Sequence, residues 1–156
     1  MAFAGDGRQL AVGDEAGGIS ILDATAGTIL LTQPGAVQLS QNGVSLTTLA
    51  AINPDKTGAT IIAADVSGTV TGWRQQGGAL HKVFETRLSG PVKDLAVSPN
   101  RKKIAVCLSD WNKGEIPILD ATTGQVLQVL DEMVSQACFL SDHQLITTRM
   151  RIWTLD

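Results

Sequence analysis

One short turn recurs four times along this 156-residue chain, and that recurrence limits what the chain can fold into more than anything else in it. The copies are Phe3-Ala4-Gly5-Asp6-Gly7, Ile52-Asn53-Pro54-Asp55-Lys56, Val97-Ser98-Pro99-Asn100-Arg101 and the degenerate Phe139-Leu140-Ser141-Asp142-His143. Their markers, Asp6, Asp55, Asn100 and Asp142, stand 49, 45 and 42 residues apart. A second element follows each turn: Ile21-Leu22-Asp23, Gly72-Trp73-Arg74, Ile118-Leu119-Asp120 and Ile152-Trp153-Thr154. A third is a near-duplicate, Ile21-Leu22-Asp23-Ala24-Thr25-Ala26-Gly27 against Ile118-Leu119-Asp120-Ala121-Thr122-Thr123-Gly124. A period of this size marks a supersecondary unit that cannot hide its apolar surface alone and must stack on its neighbours.

Within each repeat, short apolar runs alternate with Gly, Asp, Asn and Pro, which predicts an all-β chain. Leu10 to Val12, Ile19 to Leu22 and Thr28 to Leu31 read as three successive strands. Gly17 and Gly18, after Asp14-Glu15-Ala16, can take positive φ cheaply and close the first hairpin. No stretch keeps a helical period over three turns. The segment from Val126 to Gln136 comes nearest, but Val126, Val129 and Val134 favour a strand.

The order of these parts resembles the WD40 repeat: an apolar residue, a Ser-Pro-Asp-Gly turn, a strand, a second turn, a strand ending in Trp-Asp, then Thr-Gly. Val97-Ser98-Pro99-Asn100, Ser67-Gly68-Thr69-Val70-Thr71-Gly72-Trp73 and Met150-Arg151-Ile152-Trp153 carry the likeness, which spans nearly the whole chain. The resemblance implies a β-propeller of about four WD40-like blades, each of four antiparallel strands, at 1–45, 46–89, 90–133 and 134–156. It also implies that Leu22, Trp73, Leu119 and Trp153, at the ends of third strands, fill the space between blades. The family's His-Ser-Asp-Trp network is missing: Leu88 falls near the expected His, and Ser67 replaces the Asp of the hairpin. Apolar packing is therefore expected to dominate. Pro117, inside a third strand, predicts a local bulge. The third blade carries a long hairpin, Ser109 to Glu115, and the fourth a short one at Thr148-Arg149-Met150. The family closes its rings with about seven blades, so four imply an incomplete ring rather than a closed four-bladed one. The open edges imply an obligate neighbour over them: a protein partner or the rest of a propeller, in the same or another chain.

Composition narrows the function. Apolar residues make up 44% and charged residues 17%, as in an ordinary globular domain. The net charge of −3, with no basic run beyond Arg101-Lys102-Lys103, predicts no nucleic acid partner. No apolar stretch approaches the ~20 residues of a bilayer-spanning helix, so no membrane role is expected. The N-terminus lacks the basic and apolar regions of a signal peptide. Cys107 and Cys138 both sit among apolar neighbours and read as two buried thiols in a reducing, cytoplasmic compartment.

Candidate chemistry is sparse. Ser141-Asp142-His143 holds the letters of a catalytic triad, but adjacent residues in a turn cannot align as nucleophile, base and orienter. His81 and His143 are the only histidines, and neither has a second ligand at metal spacing. The glycine pairs carry no P-loop Lys and open no helix. Leu22 to Gly27 and its copy also resemble the docking repeat of quinoprotein-like propellers, without the tryptophan that ends that motif. No catalytic, metal-binding or cofactor residues are therefore expected. Trp111, flanked by Asp110 and Lys113 in the long hairpin, is the best partner anchor, because exposed aromatics with a charged fringe act as hot spots. Arg149 and Arg151 in the last hairpin are candidates for an acidic partner. The expected function is a non-catalytic, WD40-type protein-interaction scaffold that works within a larger assembly. A quinoprotein-like or lactonase-like propeller enzyme and a purely structural propeller fragment are the alternatives.

Overall fold

In the computed structural model, residues 1–3, 7–14, 16–35, 46–55, 58–109 and 114–156 are described, those at 3, 46–47, 51–55 and 58–60 by backbone alone. Fifteen strands form four separate antiparallel sheets, each a simple meander in chain order. The first sheet contains β1 (Ala2–Phe3), β2 (Gln9–Gly13), β3 (Ile19–Asp23) and β4 (Ile29–Gln33). The second contains β5 (Leu46–Asp55), β6 (Gly58–Asp65), β7 (Thr69–Gln76) and β8 (Ala79–Arg87). The third contains β9 (Val92–Val97), β10 (Lys103–Leu108), β11 (Glu115–Asp120) and β12 (Val126–Asp131). The fourth has three strands, β13 (Ala137–Ser141), β14 (Gln144–Thr147) and β15 (Ile152–Thr154). The segment from Val126 is thus a strand, and the described residues contain no helix.

Strand alternation explains how the sheets stack. Successive side chains on a strand point to opposite faces, so a run that is apolar throughout has two faces to bury. On β6, Ile61 and Ala63 pack with Ala11, Ile19 and Ile21 of the first sheet. Their neighbours Ile62 and Ala64 pack with Ile104, Val106 and Leu119 of the third. On β10 and β11, Ala105, Cys107, Ile116 and Ile118 turn the other way, onto Phe139, Leu145 and Leu155. Three apolar cores therefore separate four sheets. The first strands β5, β9 and β13 lie beside one another, and contact thins towards the outermost strands. The sheets radiate from a common hub.

Each four-stranded sheet carries a bulge at the same place on its outermost strand. The register of the outermost strand slips by one residue opposite Ile21/Leu22, Gly72/Trp73 and Ile118/Leu119. These are the three-residue elements that recur in the sequence. The bulge near Pro117 is therefore a property of the repeat, since it recurs in two sheets that have no proline there. Its effect is plain in the second sheet. Leu80 and Phe84 are an even number of residues apart, yet Leu80 faces the first sheet and Phe84 the third. The extra residue, Val83, reverses the alternation between them.

Two kinds of corner hold the meanders. After the third strand, Asp23 Oδ1 accepts from the backbone N–H groups of Thr25 and Ala26, both at 2.8 Å. Asp120 Oδ1 does the same for Thr122 (2.9 Å) and Thr123 (2.8 Å). The bonds from Ala26 and then Thr25 hold the Asp23 carboxyl below the usual range. For Asp120, partial burial opposes ionisation, but the bonds from Thr123 and Thr122 outweigh it and the pKa is again lowered. At the hub turn, Lys102 N–H donates to Asn100 Oδ1 (2.9 Å) and Lys103 N–H to Ser98 Oγ (2.9 Å). Asn100 N–H itself donates to Asp142 Oδ1 (2.7 Å), which ties the repeat markers of the third and fourth sheets together. In the β6–β7 hairpin, where the WD40 pattern has Asp at the position of Ser67, the organising carboxylate is Asp65. It accepts from Ser67 N–H (2.8 Å), Ser67 Oγ (2.6 Å) and Thr69 N–H (3.0 Å).

The core between the second and third sheets shows how tightly they approach. A Cβ added to Gly72 or to Gly124 would overlap the ring of Phe84, which lies between them. Gly124 also has φ of +72°, where an L side chain is strained. Thr86 Oγ donates to the Gly124 carbonyl (2.7 Å) across the same junction.

Two outcomes follow. Gly124→Ala combines left-handed backbone strain with overpacking and destabilises the chain by about 2–4 kcal/mol in urea unfolding. Asp120→Ala costs about 1–2 kcal/mol at neutral pH. Because the folded-state pKa of Asp120 is lowered, its contribution is fully present above the ordinary carboxylate value and lost as pH falls through the lowered one. Wild type and variant converge in acid.

Candidate functional site

The pairing registers align the four sheets residue by residue. Leu10 lies across from Leu22, Ile61 from Trp73, Ile104 from Leu119 and Leu145 from Trp153. This row faces the preceding sheet wherever one exists. Ile61 and Trp73 pack on the first sheet, Ile104 and Leu119 on the second, and Leu145 and Trp153 on the third. The next row pairs Ala11 with Ile21, Ile62 with Gly72, Ala105 with Ile118 and Ile146 with Ile152. It faces the following sheet. On the first strands, this same row holds Ala2, Ala50, Ala96 and Cys138.

Against this frame, both ends of the stack are uncovered. Ile21 is 2% exposed and Ile118 1%, but Ile152 in the same row is 55% exposed. Ala2, Ala50 and Ala96 pack against the following sheet, whereas Cys138 in their row is exposed. The expectation of two buried thiols therefore holds for Cys107 alone. Both cysteines alternate with apolar residues, but among the described residues no sheet lies against the face that carries Cys138. At the other end, Leu10 and Leu22 are half-buried, although Ile61, Ile104, Trp73 and Leu119 in matching rows are buried. Among the described residues, two apolar faces, one on each terminal sheet, are left without a neighbouring sheet.

Beside the open face, the fourth sheet and β9 of the third frame a hollow. A cavity of about 390 Å³ is lined by Asp94, Cys138, Ile146, Thr147, Thr148 and Met150, among others. Thr147 Oγ is buried and, among the described residues, is the one buried side-chain oxygen without a hydrogen-bond partner. Asp94 is half-buried at the edge of this cavity, and burial raises its pKa. Asp94 lies across from Cys107, whose thiol is pushed up to about 12 by burial and then by the Asp94 charge. Cys107 is thus inert as a nucleophile.

The proposed partner residues fare unevenly. Asp110, Trp111 and Lys113 lie outside the described residues. Arg149 is exposed in the β14–β15 turn and lines a second cleft of about 230 Å³ with Lys93, Leu108, Met133 and Val134. Arg151 belongs to the same turn, but its guanidinium lies 3.8 Å from the centroid of the Trp153 ring. Trp153 Nε1 in turn donates to Glu132 (2.8 Å), which is buried. Arg151 is thus committed to the ring, and Arg149 is the freer of the two cations. The expected tryptophans do lie between sheets: Trp73 is buried, with Nε1 donating to Thr71 Oγ (3.1 Å), and Trp153 is half-buried. His81 is exposed on the outermost strand β8, and His143 is exposed in the β13–β14 turn. Among the described residues, no three His, Cys, Asp or Glu side chains cluster as a metal site would require.

Four radiating antiparallel meanders that bury three cores and leave two end faces open define an incomplete β-propeller. No protein-family model matches the chain, and no curated protein matches its sequence. A solved structure does: the β-propeller domain of Cps50 (Swd1) from Myceliophteria thermophila, with a TM-score of 0.72 and 14% sequence identity. The match covers 100% of this chain and 53% of that one, so the chain spans about half the length of the propeller it resembles.

The two faces predict a contrast between equivalent isoleucines. Ile118→Ala costs about 2–4 kcal/mol of unfolding free energy, as a buried truncation should. Ile152→Ala, measured in dilute solution, costs under about 1 kcal/mol. Equal costs would mean that the fourth sheet is covered.

Proposed function

We propose that the chain is a WD40-type protein-interaction scaffold that holds partners without catalysis, as one arc of a larger assembly in the cytoplasm. The observation that carries this reading is the pair of open apolar faces, whose residues occupy rows that pack against a neighbouring sheet wherever one is present. Uncovered apolar surface of this kind marks interaction sites. The partner is a protein: the net charge is −3, and the candidate contacts are isolated arginines rather than a basic stripe. No helix among the described residues is long and apolar enough to cross a membrane. Fold alone does not establish such a role, because propellers host many functions. The residue pattern supplies the argument.

The cleft with Arg149 and Lys93 is where we expect an acidic segment of a partner to dock, and Trp111 with Asp110 and Lys113, outside the described residues, is the proposed aromatic anchor. Chemical cross-linking in the native cell, followed by mass spectrometry, tests this. We expect cross-links from this rim to a different protein, and at least about a fivefold loss of them in Arg149→Glu, since placing like charges together across an interface costs several kcal/mol. A chain cross-linked only to itself would sink the scaffold role.

A further inference from the structure

We infer that the hollow between β9 and the fourth sheet is a subsite for a cationic side chain, lysine or arginine. Its source is the partner segment whose acidic residue occupies the neighbouring Arg149 cleft, so the inference rests on the scaffold reading and deepens it.

Strand alternation places two polar groups across one junction. Asp94 is two residues from Ala96 on β9, and Ala96 packs into the core between the third and fourth sheets. Asp94 therefore points at the fourth sheet. Thr147 is two residues from Leu145 on β14, and Leu145 is fully buried in that same core, so Thr147 points at the third. Both residues line the hollow of about 390 Å³. Both sheets of this junction are present, and the placement is independent of the open end face.

Each of the two groups is unfavourable as it stands. Thr147 is 4% exposed, and its Oγ has no hydrogen-bond partner among the described residues. A buried hydroxyl in that state opposes folding. Asp94 has no ion pair among the described residues, and burial raises its pKa, so its charge is poorly stabilised as well. A positively charged donor answers both the unpaired oxygen and the unpaired charge. A neutral donor answers only the first. Polar groups kept in a hollow at a cost to the fold are the pattern of a ligand site.

Two other occupants fail on chemistry and size. A metal ion needs several ligands, and no three His, Cys, Asp or Glu side chains cluster among the described residues. One bound water fills about 30 Å³, a small part of the hollow. Ile146 and Met150 offer apolar wall to the stem of a long cationic side chain.

A peptide segment is the source because the two hollows are built from the same stretches of backbone. Lys93 and Arg149 line one, and their chain neighbours Asp94 and Met150 line the other. Ser135 and Gln136 divide in the same way. A cationic cleft and an anionic hollow thus lie side by side. A segment with an acidic and a basic side chain close in sequence complements both.

The probes are Nα-acetyl-lysine amide, its arginine counterpart and Nα-acetyl-norleucine amide, which has the lysine stem without the ammonium. In methyl carbon–proton spectra of the full chain, Ile146 and Met150 should shift with a cationic probe, and Met133 in the neighbouring cleft should not. The norleucine probe should bind at least about fivefold more weakly. Asp94→Asn should weaken the cationic probes at least about tenfold, and Thr147→Val about threefold. Both variants should resist urea at least as well as wild type, since each removes a group that opposes folding. A merely structural role predicts the reverse. If Asp94→Asn fails to fold, Thr147→Val carries the test. Norleucine binding as tightly as the cations overturns the inference, as does cation binding that both variants leave unchanged. Rim cross-links to another protein, with no binding of either cationic probe, would sink this inference and leave the scaffold standing. Cation binding by a chain cross-linked only to itself would uphold the subsite and remove the scaffold, so the two readings fail separately.

Discussion

Strand alternation in a chain that is apolar on both sides of the strand governs this molecule. Ile61 and Ile62 are adjacent in sequence, both fully buried, and belong to different cores. The same is true of Ile104 and Ala105, and of Ile118 and Leu119. No single sheet can bury both of its faces, because side chains leave the sheet on both sides. Stability is shared between neighbours, as in other repeat proteins. The penalty appears on the fourth sheet, where Ile152 remains in water although Ile21 and Ile118 in its row are buried.

Regularity at the periphery depends on small devices repeated in step. The outer-strand bulge recurs opposite the same point of each third strand and lets one strand serve two cores, as Leu80 and Phe84 do. The Asp23 and Asp120 corners turn the chain towards that strand with equivalent pairs of hydrogen bonds. In place of the shared polar network of the WD40 pattern, each tryptophan has its own arrangement. Trp73 donates to Thr71 on its own strand, and Trp153 reaches back to Glu132. Polar satisfaction is local here, and apolar packing joins the sheets.

Much of this was legible in the sequence, because a period repeated four times averages out local ambiguity. The third-strand elements at Ile21, Gly72, Ile118 and Ile152 are structurally equivalent, as their spacing suggests. The turn alignment slips in one place: Ala51, not Ile52, pairs at the position of Val97 and Phe139, because β5 and β6 close through a register shift of their own. Pro117 drew attention to a bulge whose cause is the repeat. Cys138 was misread because burial of an alternating residue depends on a neighbouring sheet, and flanking residues say nothing about whether one is there. The open faces could have been found by aligning Cys138 with Ala2, Ala50 and Ala96. That alignment needs pairing registers, which sequence spacing gives only to within a residue.

Methyl-to-methyl nuclear Overhauser contacts test the radial stacking most directly. The account predicts contacts from Ile19 and Ile21 to Ile61, from Ile62 and Val70 to Ile104 and Leu119, and from Ile118 and Leu130 to Leu145. It predicts none between Ile21 and Ile104. Contacts joining the first sheet to the third, or one neighbour set shared by Ile61 and Ile62, would contradict it.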